Sequence, residues 1–221
     1  MHIEVLVEDS SGETLLRALL PQLLGPQAEP HTWRLHSYKG IGRIPKGLIG
    51  TGDPMKRLPL DQLPKLLSGY SKTPGIDAVV VVLDVDKLDP KTVLRELQSL
   101  ATQSAPQLNT IFRLAVEEIE AWYLGDQAAL LKAYPKAKLK VLAGYTQDAA
   151  CGTWELLADA VHPGGSRAIK NAGWPLPGKI KHEWAEKIGK LMMLDENASP
   201  SFKKFRDGMR QLAAGSLATP N

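Results

Sequence analysis

The chain has 221 residues, 43% of them hydrophobic, and a formal net charge of +3; that length supports one large core, or a core with a small appendage. Its single cysteine, Cys151, excludes a disulfide framework and a four-cysteine zinc site, and is expected to be a small buried hydrophobe. Charge is divided unevenly: residues 1–131 hold 13 Lys+Arg against 16 Asp+Glu, net −3, and residues 132–221 hold 14 against 8, net +6. An acidic half able to hold metal, joined to a basic half, suits an enzyme that acts on a polyanion.

The opening HIEVLVE, residues 2–8, alternates apolar and polar positions and predicts a strand with Glu8 at its carboxyl end. It has no signal-peptide character, and no apolar run reaches membrane-spanning length, so the expectation is a cytoplasmic protein with no membrane association. A helix follows over ETLLRALLPQLL and stops at Leu24-Gly25-Pro26. Ser10 with Glu13 three residues later forms a capping-box pattern, which gives both a structural role. Glu8 has no such role. Residues 31–38 alternate again and predict a second strand. The glycine-rich basic segment 39–52 lacks both the P-loop and the dinucleotide fingerprints. It is read as a loop whose Lys39, Arg43 and Lys46 would meet substrate phosphates. Leu60–Tyr70 predicts a short helix.

AVVVVLDVDKLD, from Ala78 to Asp89, organises the rest. A short continuous valine-rich run predicts a strand buried on both faces of a parallel sheet. Ligands bind outside the carboxyl ends of such strands, where Asp84 and Asp86 lie. At positions i and i+2 their side chains would share a side, roughly 6–7 Å apart at Cα. Oxygen ligands of this type suit Mg²⁺ or Mn²⁺. Asp89 before Pro90 reads as the cap of the next helix, not as part of the site.

Residues 109–116 predict the fourth strand, which runs into EEIEAWYLGD. The first helical turn explains Glu117 through the helix dipole. Glu118 and Glu120 fall where the Asp84 edge would be, and one of them is expected to complete a metal site. Trp122 is expected in the core. Helices are predicted over 127–134, 153–161, 182–194 and from Pro200, with Ser199 as the last cap. Residues 162–179 read as an ordered loop or linker, and the histidines at 162 and 182 as ordinary. The alternation of strands and helices argues for a mainly parallel α/β sheet. Residues 1–131 would form this core and residues 132–215 a mostly helical basic extension packed on it, with a frayed tail at 216–221.

The succession VEDSSGE, VVVVLDVD, EEIEAW and SPSF resembles the bacterial Toprim-like family called domain of unknown function 4276, over about residues 1–210. That family is related to the Toprim domains of overcoming-lysogenization-defect nucleases. The resemblance implies a Toprim-like (Rossmann-like) fold and a Mg²⁺-dependent (or Mn²⁺-dependent) nuclease acting on DNA or RNA. It gives Glu8 the role of general acid/base or metal ligand. Asp84 and Asp86 would bind the metal, and Glu118 or Glu120 a second ion. It also implies an ATPase partner in phage defence. One departure is Asp9, which replaces the glycine usual after the first acid, so it either joins the metal site or disables the loop. A topoisomerase-type reaction would need a tyrosine nucleophile, and nothing singles out Tyr123, Tyr134 or Tyr145. The main alternative is a catalytically silent adaptor of the same fold that docks on an ATPase or nucleic acid. A phospho-receiver reading fits less well, because the chain is too long and lacks a lysine after a clear fifth strand.

Overall fold

The computed structural model describes residues 1–37, 62–149 and 151–215. Four strands form one parallel sheet: β1 (His2–Val7), β2 (Thr32–Ser37), β3 (Ala78–Asp84) and β4 (Asn109–Ala115), in the order β2-β1-β3-β4. The first crossover, α1 (Ser10–Leu24), packs on one face. Helices α2 (Leu63–Tyr70) and α3 (Pro90–Ser104) cover the other. Strand order therefore reverses between β1 and β3, whose register runs from Ile3 opposite Ala78 to Val7 opposite Val82. An α/β fold of Rossmann-like type leaves its ligand crevice at the carboxyl ends of such a pair.

The valine run behaves as its composition requires. Val79 and Val81 face the α2/α3 layer, Val80 and Val82 face α1, and all four are buried. The α1 face continues into the second half of the chain. It takes in α4 (Glu120–Gly125), α5 (Gln127–Ala133), α6 (Leu139–Leu142), α7 (Thr153–Val161), α8 (Gly165–Ala172), α9 (Leu176–Gly189) and α10 (Pro200–Ala213). Trp122, Trp184, Phe202 and Phe205 share one apolar cluster with Val5, Leu16 and Val80. Trp122 is fully buried as expected, stacked on Phe205 at 4.9 Å and meeting Phe202 edge-on at 5.5 Å.

Several expectations need correction. The stretch read as a loop from 162 to 179 contains α8 and the start of α9. Its glycines sit at the helix ends, with Gly164 before α8 and Gly173 after it at φ 67°. The α1 cap is Asp9, not Ser10: its carboxylate accepts from the Gly12 amide at 2.7 Å and from the Ser11 hydroxyl at 2.9 Å, so Ser10 is already helical. Glu13 does not reach back to a cap. It bonds Arg17 and the Ser37 hydroxyl, tying α1 to the end of β2. Cys151 is exposed rather than buried. Asp89 caps α3 as expected, through the Thr92 amide at 2.9 Å, and Ser199 caps α10. Tyr38, the proposed loop 39–52 with Lys39, Arg43 and Lys46, and the tail 216–221 lie outside the described residues. Among the described residues no helix is long and apolar enough to cross a membrane.

Candidate functional site

The site forms where β1, β3 and β4 end. Glu8 directly follows β1, and its Oε2 accepts from the Asp84 amide at 3.2 Å, which joins the two strand ends at the reversal point. Asp84 is the last residue of β3 and only half-buried. The strand stops there, so the two-residue alternation does not carry on to Asp86. Val85 turns into the core, and Asp86 adopts φ 49° and is exposed. The extended geometry on which the i, i+2 expectation for Asp84 and Asp86 rested therefore ends at Asp84. The Asp86 charge is nevertheless felt by Glu8.

The chain after β3 is bonded to the chain after β4: the Val85 amide donates to the Ala115 carbonyl and the Asp86 amide to the Glu117 carbonyl. Glu117 is left-handed as well, at φ 61°. Two adjacent non-glycine residues in that region, both at the edge of an acidic crevice, are a costly arrangement of the kind concentrated at functional sites. The Glu117 side chain serves the start of α7. It accepts the amides of Cys151, Gly152 and Thr153 at 2.8–3.1 Å, closing the N-terminus of α7. A helix dipole does explain Glu117, but the helix is α7, not its own.

Glu118 and Glu120 come to the Asp84 edge, as the sequence suggested. Between them stands Lys181 of α9, its Nζ 3.3 Å from Glu118 Oε1 and 3.3 Å from Glu120 Oε1. Glu120 is almost wholly buried, and its Oε2 has no hydrogen-bond partner. The neighbouring Tyr123 hydroxyl is likewise buried and unpartnered. That enclosure excludes Tyr123, as it stands, from attacking a nucleic-acid backbone.

Electrostatics follow from five carboxylates (Glu8, Asp9, Asp84, Glu118, Glu120) around one ammonium. Burial pushes Glu8 up to about 7; Asp86 and Asp9 add to the rise, while the Asp84 amide and Lys181 oppose it. Burial, then repulsion from Glu8 and Glu120, holds Asp84 well above the usual carboxylate range. Burial also pushes Glu118 up to about 7, against the pull of Lys181. For Lys181, burial favours the neutral amine, but Glu120, Glu118, Asp84 and Asp9 outweigh it and raise its pKa, so the ammonium stays charged. Asp9 is thus engaged as a helix cap and also contributes field to the crevice. Perturbed carboxylates gathered in a cleft mark a functional-site candidate on physical grounds.

Among the described residues, no three His, Cys, Asp or Glu side chains are arranged to hold a metal ion as they stand. The donor set is still of the right chemistry: oxygen ligands only, three carboxylates (Glu8, Asp84 and Glu118) biased toward protonation by burial and then by repulsion, and an orphaned buried Glu120 oxygen.

Sequence reasoning missed Lys181, because its partners lie about 60 residues away and it falls just outside the helix predicted to begin at 182. The Trp122 end of EEIEAW and the SPSF segment have a structural role. The Trp122 indole donates to the Ser201 hydroxyl at 3.0 Å, and Asp148 accepts from Ser199 and Ser201, so EEIEAW and SPSF are packed together. His182 joins α9 to α1 through Ser10 and Thr14. No curated protein and no solved structure matches the chain. A family model, described as "Domain of unknown function (DUF4276)", matches residues 7–210. With nearly the whole chain matched, from β1 through α10, the protein belongs to the DUF4276 family.

Proposed function

We propose that the protein is a Toprim-type metal-dependent nuclease that hydrolyses phosphodiester bonds of DNA or RNA at the β1/β3 crevice. The observation that carries this reading is the convergence of Glu8, Asp84, Glu118 and Glu120 from three strand ends, with a buried Glu120 oxygen left unpartnered. Glu8, Asp84 and Glu120 would hold a Mg²⁺ or Mn²⁺ ion, with Asp86 at the open rim. Such an ion, when bound, would activate water and stabilise the attacking and leaving oxygens. Lys181 supplies the fixed positive charge of the crevice. With Nζ already among carboxylates, it is placed to offset phosphate charge once the acids are engaged elsewhere. In the metal-free crevice Glu8 is pushed up to about 7, so it exchanges a proton near neutral pH, and binding of the ion would displace that proton. An ATPase partner in phage defence and a cytoplasmic location fit this reading.

A second reading is favoured by Lys181 itself. An ammonium that already neutralises Glu118 and Glu120 suits a catalytically silent adaptor that needs no metal. Calorimetric titration with Mn²⁺ separates the two. The nuclease reading predicts saturable binding that Asp84→Asn and Glu8→Gln each weaken at least tenfold. Absence of binding to the wild type would favour the adaptor.

A further inference from the structure

The sequence from 160 to 182 contains Arg167, Lys170, Lys179 and Lys181 and not one carboxylate. The structure folds it into α8, a corner and the first turns of α9. The segment is anchored: Ile169 is fully buried, and Leu176 and Ile180 pack on the main core. At its corner stands Trp174, 81% exposed, the most exposed large hydrophobic side chain among the described residues. Its indole rests against the backbone of Gly178, where an added methyl would come within 3.1 Å of the ring. One edge of the ring therefore lies close to Gly178, and most of the ring stays open.

The corner is next to the acidic crevice. Lys181 lies five residues beyond the α9 start, about 8 Å along the helix axis. On the α8 side the link is Trp154, whose amide donates to Glu118 Oε2 at 3.3 Å and whose ring carries Lys170 Nζ at 5.2 Å. The carboxylates nearest in sequence are already engaged: Glu155 with Lys170, Asp159 with the Ser166 amide, and Glu183 with Lys187 and Tyr134. Arg167 and Lys179 are exposed beside them.

An exposed indole in a basic segment without carboxylates, leading into a carboxylate crevice, has the two components of single-strand recognition: a stacking face and a phosphate track. A duplex keeps its bases stacked on each other and offers none to an indole. A protein partner would call for a contiguous apolar patch, whereas Trp174 lies in a segment whose charged residues are all basic. We infer that Trp174 stacks on an unpaired base, with Arg167 and Lys179 on the flanking phosphates, and that the substrate enters the crevice as single-stranded nucleic acid. This rests on the nuclease reading and names its substrate class.

The test is equilibrium binding to the full chain, in EDTA, of a labelled 12-nucleotide oligothymidylate, an abasic strand of equal length and a blunt duplex. Wild type is expected to prefer the oligothymidylate. Trp174→Ala should weaken that binding about tenfold, leave abasic binding unchanged and preserve the thermal midpoint, while Trp174→Phe retains most of the affinity. Equal oligothymidylate binding by wild type and Trp174→Ala, or equal wild-type binding of thymidylate and abasic strands, would overturn the inference and leave Trp174 to a protein partner. The absence of metal separates the two readings. Trp174-dependent binding without any cleavage in Mg²⁺ would sink the nuclease reading alone. Cleavage with Trp174-independent binding would sink the stacking inference alone.

Discussion

Glu8 and Glu118 carry the pH behaviour of the molecule. Both are pushed up to about 7 in the fold, from an unfolded value near 4.5. A carboxyl raised by folding favours the folded state fully below the unfolded pKa and loses that contribution as pH rises through the folded one. The thermal midpoint should therefore fall as pH goes from about 5 to 8, in the absence of divalent cation. Glu8→Gln removes one titrating group, so a melting series in pH should show a shallower fall and a higher midpoint at pH 8. Lys181 has the opposite role. Replacing it by Met leaves Glu118 and Glu120 facing each other and Asp84 without a counter-charge, a loss of about 3 kcal/mol for a broken buried pair. Denaturant titration at pH 8 should show that loss, and at pH 5.5 much of it should disappear as Glu118 and Asp84, both raised by burial, take up protons.

At the scale of elements, the chain after β4 is the part that most shapes the crevice. Glu117 turns its backbone to accept Asp86 and its side chain to close α7, so one residue sets the course of two segments. Glu117→Ala would strip three amides at the start of α7 of their acceptor. Hydrogen bonds to a buried carboxylate are individually strong, and the expected cost is about 2–4 kcal/mol in chemical denaturation. Near-full stability in that variant would mean that water replaces the clamp. The elements themselves were largely legible in the sequence. The valine run, the alternation in β1 and β2 and the Asp89-Pro90 and Ser199-Pro200 starts each rest on local chemistry, and local chemistry was enough. Helix α8 was not legible, because Gly164, Gly165 and Gly173 give its surroundings a loop composition while its apolar contact, Ile169, is a single residue.

At the scale of the whole molecule, the acidic edge was legible and its cation was not. Glu8, Asp84, Glu118 and Glu120 lie at strand ends, and a parallel sheet brings strand ends together regardless of their separation in sequence. Lys181 reaches the same edge only because α9 packs against α1, a tertiary contact with no signature in either helix. The i, i+2 rule for Asp84 and Asp86 has no purchase beyond the end of β3, since the alternation belongs to extended backbone and Asp86 is left-handed. The basic carboxyl-terminal half has a use in this arrangement: it supplies the ammonium inside the crevice and the exposed cations beside it.

The most direct test of the central claim is cleavage of single-stranded DNA, supercoiled plasmid and transfer RNA in Mg²⁺ or Mn²⁺, with wild type beside Glu8→Ala and Asp84→Ala. The expected result is metal-dependent cleavage of a nucleic-acid substrate that falls at least a hundredfold in either variant, roughly the loss of 3 kcal/mol of transition-state stabilisation. No cleavage of any substrate by the wild type, or cleavage indifferent to both carboxylates, would contradict it.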